Sequence, residues 1–279
     1  MDLPTRLVRP AGLGFEFEVL ADDTIIGPAI EKGSWADHET ALFRAHVGPG
    51  ARVVDLGANV GWFAVQAVLA GAEVHAFEPV PAIAGVARRN VERAMQHAAG
   101  KGVVHELAAG AERGSAVIQI GAGNFGDNRV VDAGGERPED MGQGQSVEIR
   151  IAPVDELVQG PVRFLKVDTQ GSEWLALEGA RKLLASSPDL GLLIEFWPYA
   201  LRGAKPEQLV ARLFELGFTL GKATEAPYPM SAERILRQAL GRDPVRGGLD
   251  LYGARGAAPF HVLGLGARLH GFVRSLKED

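Results

Sequence analysis

The sequence predicts an α/β protein with a doubly wound, mostly parallel seven-stranded sheet and a small N-terminal β/helical extension. Short apolar runs alternate with helical segments between residues 53 and 216, which is typical of parallel strands joined by crossover helices. Glycine-rich turns punctuate the alternation. Acidic residues stand at the ends of four predicted strands, at the sheet edge where open α/β proteins bind ligands. These are Asp55, Glu78, Asp168 and Glu195.

The N-terminal extension covers residues 1–48, and we expect it to serve as a lid or cap. Residues 14–20 alternate apolar and acidic side chains, and residues 24–26 are β-branched, so the two segments predict a hairpin with a turn at residues 21–23. Residues 35–44 predict a helix, which ends before Gly48.

The central domain, residues 49–256, carries the alternation. Strands are predicted at residues 53–56, 74–77, 103–107, 163–168 and 190–197, and helices at 61–70, 79–95, 173–184 and 206–216. Two closing strands, expected to be antiparallel, follow at residues 218–220 and 249–254. These segments together give the seven strands.

Three further segments lie outside the alternation. Residues 121–145 are rich in Gly, Asp and Glu between two antiparallel strands, and they predict a mobile loop over the ligand edge. Its residues Asn124, Asp127, Asn128 and Arg129 are expected to meet substrate or cofactor. Residues 223–246 predict an insertion over the sheet or a partner surface, and residues 257–279 form a separate tail with a helix at residues 262–277.

Composition excludes several classes of protein. The 279 residues are 46% hydrophobic and 23% charged, with a net charge of −6, so no overall positive field attracts nucleic acid. The absence of cysteine excludes disulfides, thiolate nucleophiles and cysteine-ligated zinc. No apolar run reaches the roughly 18 residues of a membrane span, and the first residues do not form a signal peptide. We therefore expect a cytoplasmic protein with a small-molecule partner, and a homo-oligomer remains open.

The turn after the first central strand discriminates between nucleoside ligands. A dinucleotide fingerprint needs glycine at the first, third and sixth positions, but counting from Gly57 the third is Asn59 and the sixth is Trp62. The spacing Asp-x-Gly-x-x-x-Gly, from Asp55 to Gly61, favours S-adenosylmethionine (SAM) instead. Glu78, at the end of the next strand, is placed to accept hydrogen bonds from ribose hydroxyls.

These segments resemble FkbM-type SAM-dependent methyltransferases between about residues 35 and 218. The resemblance rests on the turn, on Ala76-Phe77-Glu78-Pro79, on residues 164–173 with their pattern Lys-x-Asp-x-Gln-Gly-x-Glu, on residues 177–180, and on Glu195. It implies a class I methyltransferase (Rossmann-like) fold and an O-methyltransferase acting on a hydroxyl of a small molecule, a sugar or a natural-product intermediate. S-adenosylhomocysteine (SAH) would be the product. An inactive SAM-binding scaffold and an NAD-dependent oxidoreductase remain open as alternatives.

The predicted cofactor-binding residues cluster in the glycine turn and at the ends of the neighbouring strands. Asp55 would bind the SAM ammonium group or brace the turn, and Asn59 is a residue type able to adopt a positive φ. Glu78 would bind ribose, and the backbone after the third strand would contact adenine. The full set is Asp55, Gly57, Ala58, Asn59, Gly61, Glu78, Pro79, Ala108, Ala109 and Asp168.

Methyl transfer to a hydroxyl requires alignment of the hydroxyl and removal of its proton. The predicted catalytic residues are Asp168, Glu195 and His38, whereas His105 is assigned to a strand core. Asp168 and Glu195 end neighbouring strands and could hold a divalent metal ion, although two acids are few for magnesium and we favour a metal-free site. Lys166 shares the strand face of Asp168 and is interpreted as a lysine extending from a partly buried strand, with a catalytic role as the alternative. Four aromatic residues are interpreted as packing residues, with a pocket wall as the alternative. These are Trp35, Trp62, Phe125 and Trp197.

Overall fold

The computed structural model of the protein describes residues 3–121, 123–131, 145–244 and 248–260. The first half contains β1 (Thr5–Val8), β2 (Phe17–Leu20), α1 (Ile26–Lys32), α2 (Asp37–His46), β3 (Arg52–Leu56), α3 (Trp62–Leu69), β4 (Glu73–Phe77), α4 (Pro81–Met95), β5 (Lys101–His105), β6 (Ala108–Ala109), β7 (Gly114–Gln119) and β8 (Arg129–Val131). The second half contains β9 (Ser146–Ala152), β10 (Phe164–Val167), α5 (Glu173–Glu178), α6 (Arg181–Ser186), β11 (Leu190–Phe196), α7 (Pro206–Glu215), β12 (Thr219–Lys222), α8 (Ala232–Leu240) and β13 (Leu249–Arg255).

The main sheet has seven strands in the order β12-β13-β11-β10-β3-β4-β5. The five strands from β11 to β5 pair in parallel, whereas β13 is antiparallel to both of its neighbours. The sheet is therefore mixed rather than purely parallel, and the antiparallel closing strands expected from the sequence account for the difference. The chain reverses its strand order between β3 and β10, which is where open α/β sheets bind ligands.

Hydrophobic cores cover both faces of this sheet. Successive residues of β3 point to opposite faces, so Val53 joins a core with α2, α3 and α4, while Val54 joins a second core with α5, α6 and α7. Both valines are fully buried. The doubly wound architecture follows, since each face of the parallel strands is closed by the helices of the crossover connections.

The predicted N-terminal hairpin is wrong. Strand β2 pairs with β1, and residues 26–32 form helix α1 instead of a second hairpin strand. The cause is Asp23, whose Oδ1 atom accepts hydrogen bonds from the amides of Ile25, Ile26 and Gly27 at 2.5–3.1 Å. This carboxylate satisfies the free amides at the start of the helix and overrides the strand preference of the β-branched residues.

Residues 3–48 share one hydrophobic core with the sheet. Phe17, Ile30 and Phe43 are fully buried in the same cluster as Val53 and Val65 of the central domain. Packing therefore joins the N-terminal extension to the central domain, and its role as a lid stays a prediction.

A second, four-stranded sheet in the order β6-β9-β7-β8 stands beside the ligand edge of the main sheet. Strands β7 and β9 pair antiparallel as expected, but β8 lies inside the segment predicted as a loop. The helix predicted over residues 173–184 is split into α5 and α6. The break has a cause, because Asp155 accepts hydrogen bonds from the amides of Lys182 and Leu183 and so begins a new helix there.

Within the segment predicted as an insertion, residues 223–246, helix α8 packs against α7. The predicted tail helix, residues 262–277, lies outside the described residues, as do residues 132–144 of the predicted loop. None of the helices in the described residues has the length and apolar character that crossing a membrane requires.

Candidate active site

A cavity of about 990 Å³ lies at the carboxyl ends of the main-sheet strands. This volume is at the upper end of the range of roughly 300–1,000 Å³ found for small-molecule sites, so a second ligand fits beside a nucleoside. Its wall comes from the ends of β3, β4, β10, β11 and β13, from the N-terminal helices and from the segment before β8. The glycine turn, Glu78, Asp168 and Glu195 therefore line one cavity.

The glycine turn after β3 packs tightly against the end of β10. Gly57 has a φ of 78°, and a Cβ atom added there would lie 1.7 Å from the carbonyl oxygen of Asp168. Gly61 performs a different task, since its φ is 88° and it packs against Ala87 of α4 rather than lining the cavity. Between them Asn59 adopts a φ of 50°, which confirms the conformation expected from its residue type.

Glu78 lies behind this turn and braces it. Its two carboxylate oxygens accept hydrogen bonds from the amides of Asn59 and Val80, each at 3.0 Å. The side chain nonetheless lines the cavity, and each oxygen retains a second lone pair for a ligand. Burial raises the pKa of Glu78 to about 7 despite these two hydrogen bonds.

The segment after β5 forms the wall next to Glu78. Ala108 and Ala109 line the cavity together with Pro79 and Ala58, as the sequence analysis placed them. Their small side chains leave room for a flat ring beside the backbone. The assignment of this wall to adenine stays a prediction.

Asp55 does not line the cavity. It is fully buried on β3, where its Oδ1 atom lies 3.2 Å from the Nζ atom of Lys166. Lys166 also donates to the carbonyl oxygen of Gly57 at 3.0 Å and lies 3.5 Å from the Oδ2 atom of Asp168. Burial alone would lower the pKa of Lys166, but the carboxylates of Asp55 and Asp168 outweigh it and raise that pKa.

The lysine therefore stays charged and forms the floor of the site. Asp55 and Lys166 are cross-strand partners in the β3–β10 register, which brings them together on one face of the sheet. The preferred sequence interpretation of Lys166, a lysine extending from a partly buried strand, is therefore wrong, because the side chain is buried between two carboxylates. Its position two residues before Asp168, on the same strand face, is the sequence signal that places it at the site.

The predicted convergence of Asp168 and Glu195 is present in the structure. The Nε2 atom of Gln170 donates to the Oδ1 atom of Asp168 and to the Oε2 atom of Glu195, each at 2.7 Å. Burial raises the pKa of Glu195 well above its usual range, and the neighbouring carboxylates of Asp168 and Asp250 add to the effect. One amide group thus holds two carboxyl groups side by side on the cavity wall.

Two further acids that the sequence did not indicate line the cavity. Asp250 lies directly opposite Glu195 in the antiparallel β11–β13 pair. Partial loss of hydration in the cavity, together with the neighbouring carboxylates of Glu39 and Asp168, raises the pKa of Asp250 to about 7. Glu39, on α2, lines the cavity as well. This acidic wall favours a ligand that carries positive charge.

Neither His38 nor His105 lines the cavity. His38 is exposed on α2 and does not line the cavity, whereas its neighbour Glu39 does. His105 lies on β5, where its Nε2 atom is 3.1 Å from the Nδ1 atom of His75. Burial lowers the pKa of His105 to about 4. The structure thus places the carboxylates, and not His38, at the cavity.

The four aromatic residues interpreted as packing residues all line the cavity. Trp35 and Trp62 stand with Phe125 and Trp197 in its wall, and Trp62 is buried at the same time. Their dual position explains why sequence reasoning could not decide between the two roles.

The segment before β8 covers one side of the cavity. Asn124, Asp127 and Asn128 line it, as expected for residues that meet a ligand. Arg129 forms a two-point ion pair with Asp127 and places its guanidinium 4.1 Å from the centre of the Trp197 ring. The described residues include no cluster of three or more His, Cys, Asp or Glu side chains arranged to hold a metal ion.

The residues of this cavity fit SAM. Glu78 offers carboxylate oxygens at the end of the second parallel strand, and the turn from Gly57 to Asn59 opens beside it. The acids at the other end suit a ligand with a sulfonium and an ammonium group. Asp168 connects the glycine turn to the other acids. Its carbonyl oxygen packs against Gly57, and its carboxylate shares the Gln170 amide with Glu195.

Comparison with known proteins gives one match that covers most of the chain. Residues 55–220 match the model of the methyltransferase FkbM domain. No curated protein matches the chain.

Solved structures with a similar arrangement are distant in sequence. The magnesium protoporphyrin IX methyltransferase of Synechocystis PCC 6803 is 14% identical, with a TM-score of 0.46, over 84% of this chain and 85% of that one. An rRNA methylase of Streptococcus thermophilus is 11% identical, with a TM-score of 0.40, over 78% of this chain and 93% of that one. Likenesses this distant do not indicate a substrate.

Proposed function

The chain belongs to the FkbM methyltransferase family, and from this premise we propose that it methylates a hydroxyl group of a small molecule. The enzyme is a SAM-dependent methyltransferase, and membership of the family removes the NAD-dependent alternative. The acceptor class is our proposal. The observation that carries it is the bridged pair of carboxyl groups, Asp168 and Glu195, beside the turn that fits the cofactor.

Glu78 would hold the cofactor through its ribose hydroxyls, and the turn at Gly57 to Asn59 would lie against its amino-acid part. When bound, SAM supplies a methyl group on a positively charged sulfur and leaves as SAH. Asp55 would contribute indirectly, because its ion pair keeps Lys166 charged and in place beneath the glycine turn. The acids of the opposite wall stabilise positive charge brought into the cavity.

The acceptor hydroxyl must lose its proton as its oxygen forms the new bond to the methyl carbon. Asp168 and Glu195 are the groups placed to receive that proton. The aromatic wall and the segment before β8 would exclude water around the acceptor. We favour a metal-free reaction because the carboxyl pair is already occupied by the Gln170 amide and by Lys166.

Labelled methyl transfer tests the proposal. The purified enzyme is incubated with methyl-labelled SAM and panels of alcohols, glycosides, amines and RNA, and the linkage of any product is determined by NMR. We expect label on oxygen of a small molecule, unaffected by chelation and by added magnesium. Transfer to RNA or to nitrogen, or full loss on chelation with recovery by magnesium, would contradict it.

Two variants complete this test. Asp168→Asn and Glu195→Gln should each lower kcat by about 100-fold or more, the typical contribution of a positioned proton acceptor. His38→Gln is the matched control, because His38 is exposed outside the cavity, and it should keep wild-type kcat. SAM binding with no transfer to any acceptor would instead indicate a catalytically inactive scaffold.

A further inference from the structure

Backbone strain is concentrated at this cavity. Among the described residues, three non-glycine residues have a positive φ, and all three line the cavity: Ala36, Asn59 and Gln170. A left-handed conformation costs a residue with a Cβ atom roughly 1 kcal/mol or more relative to glycine. Such outliers are often found where a side chain must be delivered to a functional site.

The left-handed backbone of Gln170 determines where its side chain lies in the cavity. It has a φ of 51° in the turn between β10 and α5, next to Gly171, whose added Cβ would lie 2.3 Å from the carbonyl oxygen of Ala200. A turn that needed only this backbone path would be served better by glycine at position 170 as well. What glutamine adds is the Nε2 atom that donates to Asp168 and Glu195.

The carboxyl groups of Asp168 and Glu195 have different neighbours. Both oxygens of Asp168 face a donor, since Oδ1 accepts from Gln170 and Oδ2 lies 3.5 Å from the Nζ atom of Lys166. Glu195 accepts from Gln170 through Oε2, lines the cavity, and has the carboxyl groups of Asp168 and Asp250 as neighbours, which raise its pKa. A carboxylate that faces two donors, as Asp168 does, is a weaker base than one that stands beside other carboxylates.

From this geometry we infer that Gln170 is a positioning residue that orients Glu195 as the general base and leaves Asp168 as a fixed charge. The inference rests on the proposed function and deepens it by dividing the roles of the two acids. Glu195 would take the proton of the acceptor hydroxyl on Oε1 while Oε2 stays bound to the Gln170 amide. The proton later passes to water, so the carboxylate is restored for the next turnover.

Several charged groups lie around Glu195. The carboxyl groups of Asp168, of Asp250 on β13 and of Glu173 on α5 raise its pKa, and Lys166, Glu39 and Arg202 line the same cavity. Of these groups, Asp168 shares the Gln170 amide with Glu195. A change in the titration of Glu195 in a Gln170 variant therefore reports the loss of the bridge between the two carboxyl groups.

The test compares Gln170→Gly and Gln170→Asn with the wild type. Both residues accept a positive φ, and neither brings an amide to the same place, so the turn is kept and the bridge is lost. We expect kcat to fall about 10- to 100-fold, part of the usual contribution of a general base. The Kd for SAH should stay within about twofold, and the thermal midpoint of Gln170→Gly should be unchanged or higher.

A second readout uses the protein without ligands. The pKa of Glu195, followed by carbon NMR of labelled glutamate and assigned with Glu195→Gln, should rise in both variants because the carboxylate loses a donor. The acidic limb of the kcat–pH profile should move in the same direction. Wild-type kcat together with an unmoved Glu195 pKa would overturn the inference. A wild-type enzyme that methylates no hydroxyl would overturn the proposed function instead, while the NMR titration would still report on the bridge.

Discussion

Single residues of this site combine structural and ligand-binding tasks. Glu78 is an example, because the same carboxylate that faces the cavity also anchors the amides of Asn59 and Val80. The left-handed conformation of Asn59 directs its amide toward that carboxylate. The turn is thus shaped before a ligand arrives, which reduces the entropy lost on binding.

Glu78→Ala should weaken binding of SAM and SAH by about 10- to 100-fold. The change removes hydrogen bonds to a charged acceptor, worth on the order of 1.5–3 kcal/mol, and it loosens the turn. Isothermal titration calorimetry measures the effect. Glu106→Ala is the control, since Glu106 follows the next strand but lies outside the cavity lining. Equal affinities of Glu78→Ala and wild type would remove Glu78 from the cofactor site.

At the scale of elements, the segment before β8 is tied to two other parts of the chain. The Nδ2 atom of Asn59 donates to the carbonyl oxygen of Phe125 at 2.7 Å. On the other side, the Oγ1 atom of Thr24 donates to the carbonyl oxygen of Gly123 at 2.7 Å. Hydrogen bonds therefore connect the glycine turn, the residues before α1 and this cover, and a ligand that contacts the turn should also order the cover.

Hydrogen exchange tests this connection. Peptides that contain residues 123–131 should exchange more slowly with SAH than without it, because the Asn59 amide ties this segment to the turn that SAH would contact. Asn59→Gly keeps the left-handed turn but removes the amide, so the slowing should be reduced. Peptides from helix α7 provide the internal control. Identical exchange with and without SAH would show that the segment is not a ligand-responsive cover.

At the scale of the whole molecule, the N-terminal extension is bound to helix α4, against which the glycine turn packs. Glu18 of β2 binds Arg89 at 2.7–2.8 Å and Arg93 at 3.2 Å on α4. Asn90 joins the backbone of Glu18 to the carbonyl oxygen of Val60 at 2.8 Å. Loss of this cluster would release the extension from the helix that supports the glycine turn.

Glu18 should make the stability of the protein depend on pH. Its hydrogen bonds with Arg89 lower the pKa of Glu18 to about 2, against 4.5 for an ordinary glutamate. A lowered carboxyl pKa stabilises the folded state above about pH 4.5, and this stabilisation is lost as the pH falls toward 2. Glu18→Gln should therefore lower the free energy of unfolding at pH 7 by about 1–2 kcal/mol, a value reduced by solvent screening of the half-exposed Arg89.

Urea unfolding at several pH values measures this dependence. The difference between Glu18→Gln and wild type should narrow between pH 5 and pH 3. Glu16→Gln is the matched control, since Glu16 pairs with Arg9, whose side chain is 83% exposed, and it should change stability little at any pH. A constant difference across the pH range would exclude the ionised Glu18 as its source.

The sequence by itself determined the central α/β alternation and the family. The alternation is visible as short apolar runs separated by helical segments, and the turn from Asp55 to Gly61 is local, so both can be recognised from neighbouring residues alone. The ends of parallel strands meet at one edge, which is why the sequence predicts one site for Asp55, Glu78, Asp168 and Glu195. Glu78, Asp168 and Glu195 do line one cavity, whereas Asp55 is buried on β3.

Tertiary structure decided which polar groups meet. Lys166 pairs with Asp55 through the β3–β10 register, and Asp250 faces Glu195 across a closing strand that lies 55 positions later in the chain. The predicted N-terminal hairpin is absent because the Asp23 carboxylate accepts hydrogen bonds from three amides and so begins a helix there. His38 and Glu39 differ by one position, yet only the helix packing places Glu39 in the cavity. Contacts between distant segments depend on register and packing, which local patterns do not encode.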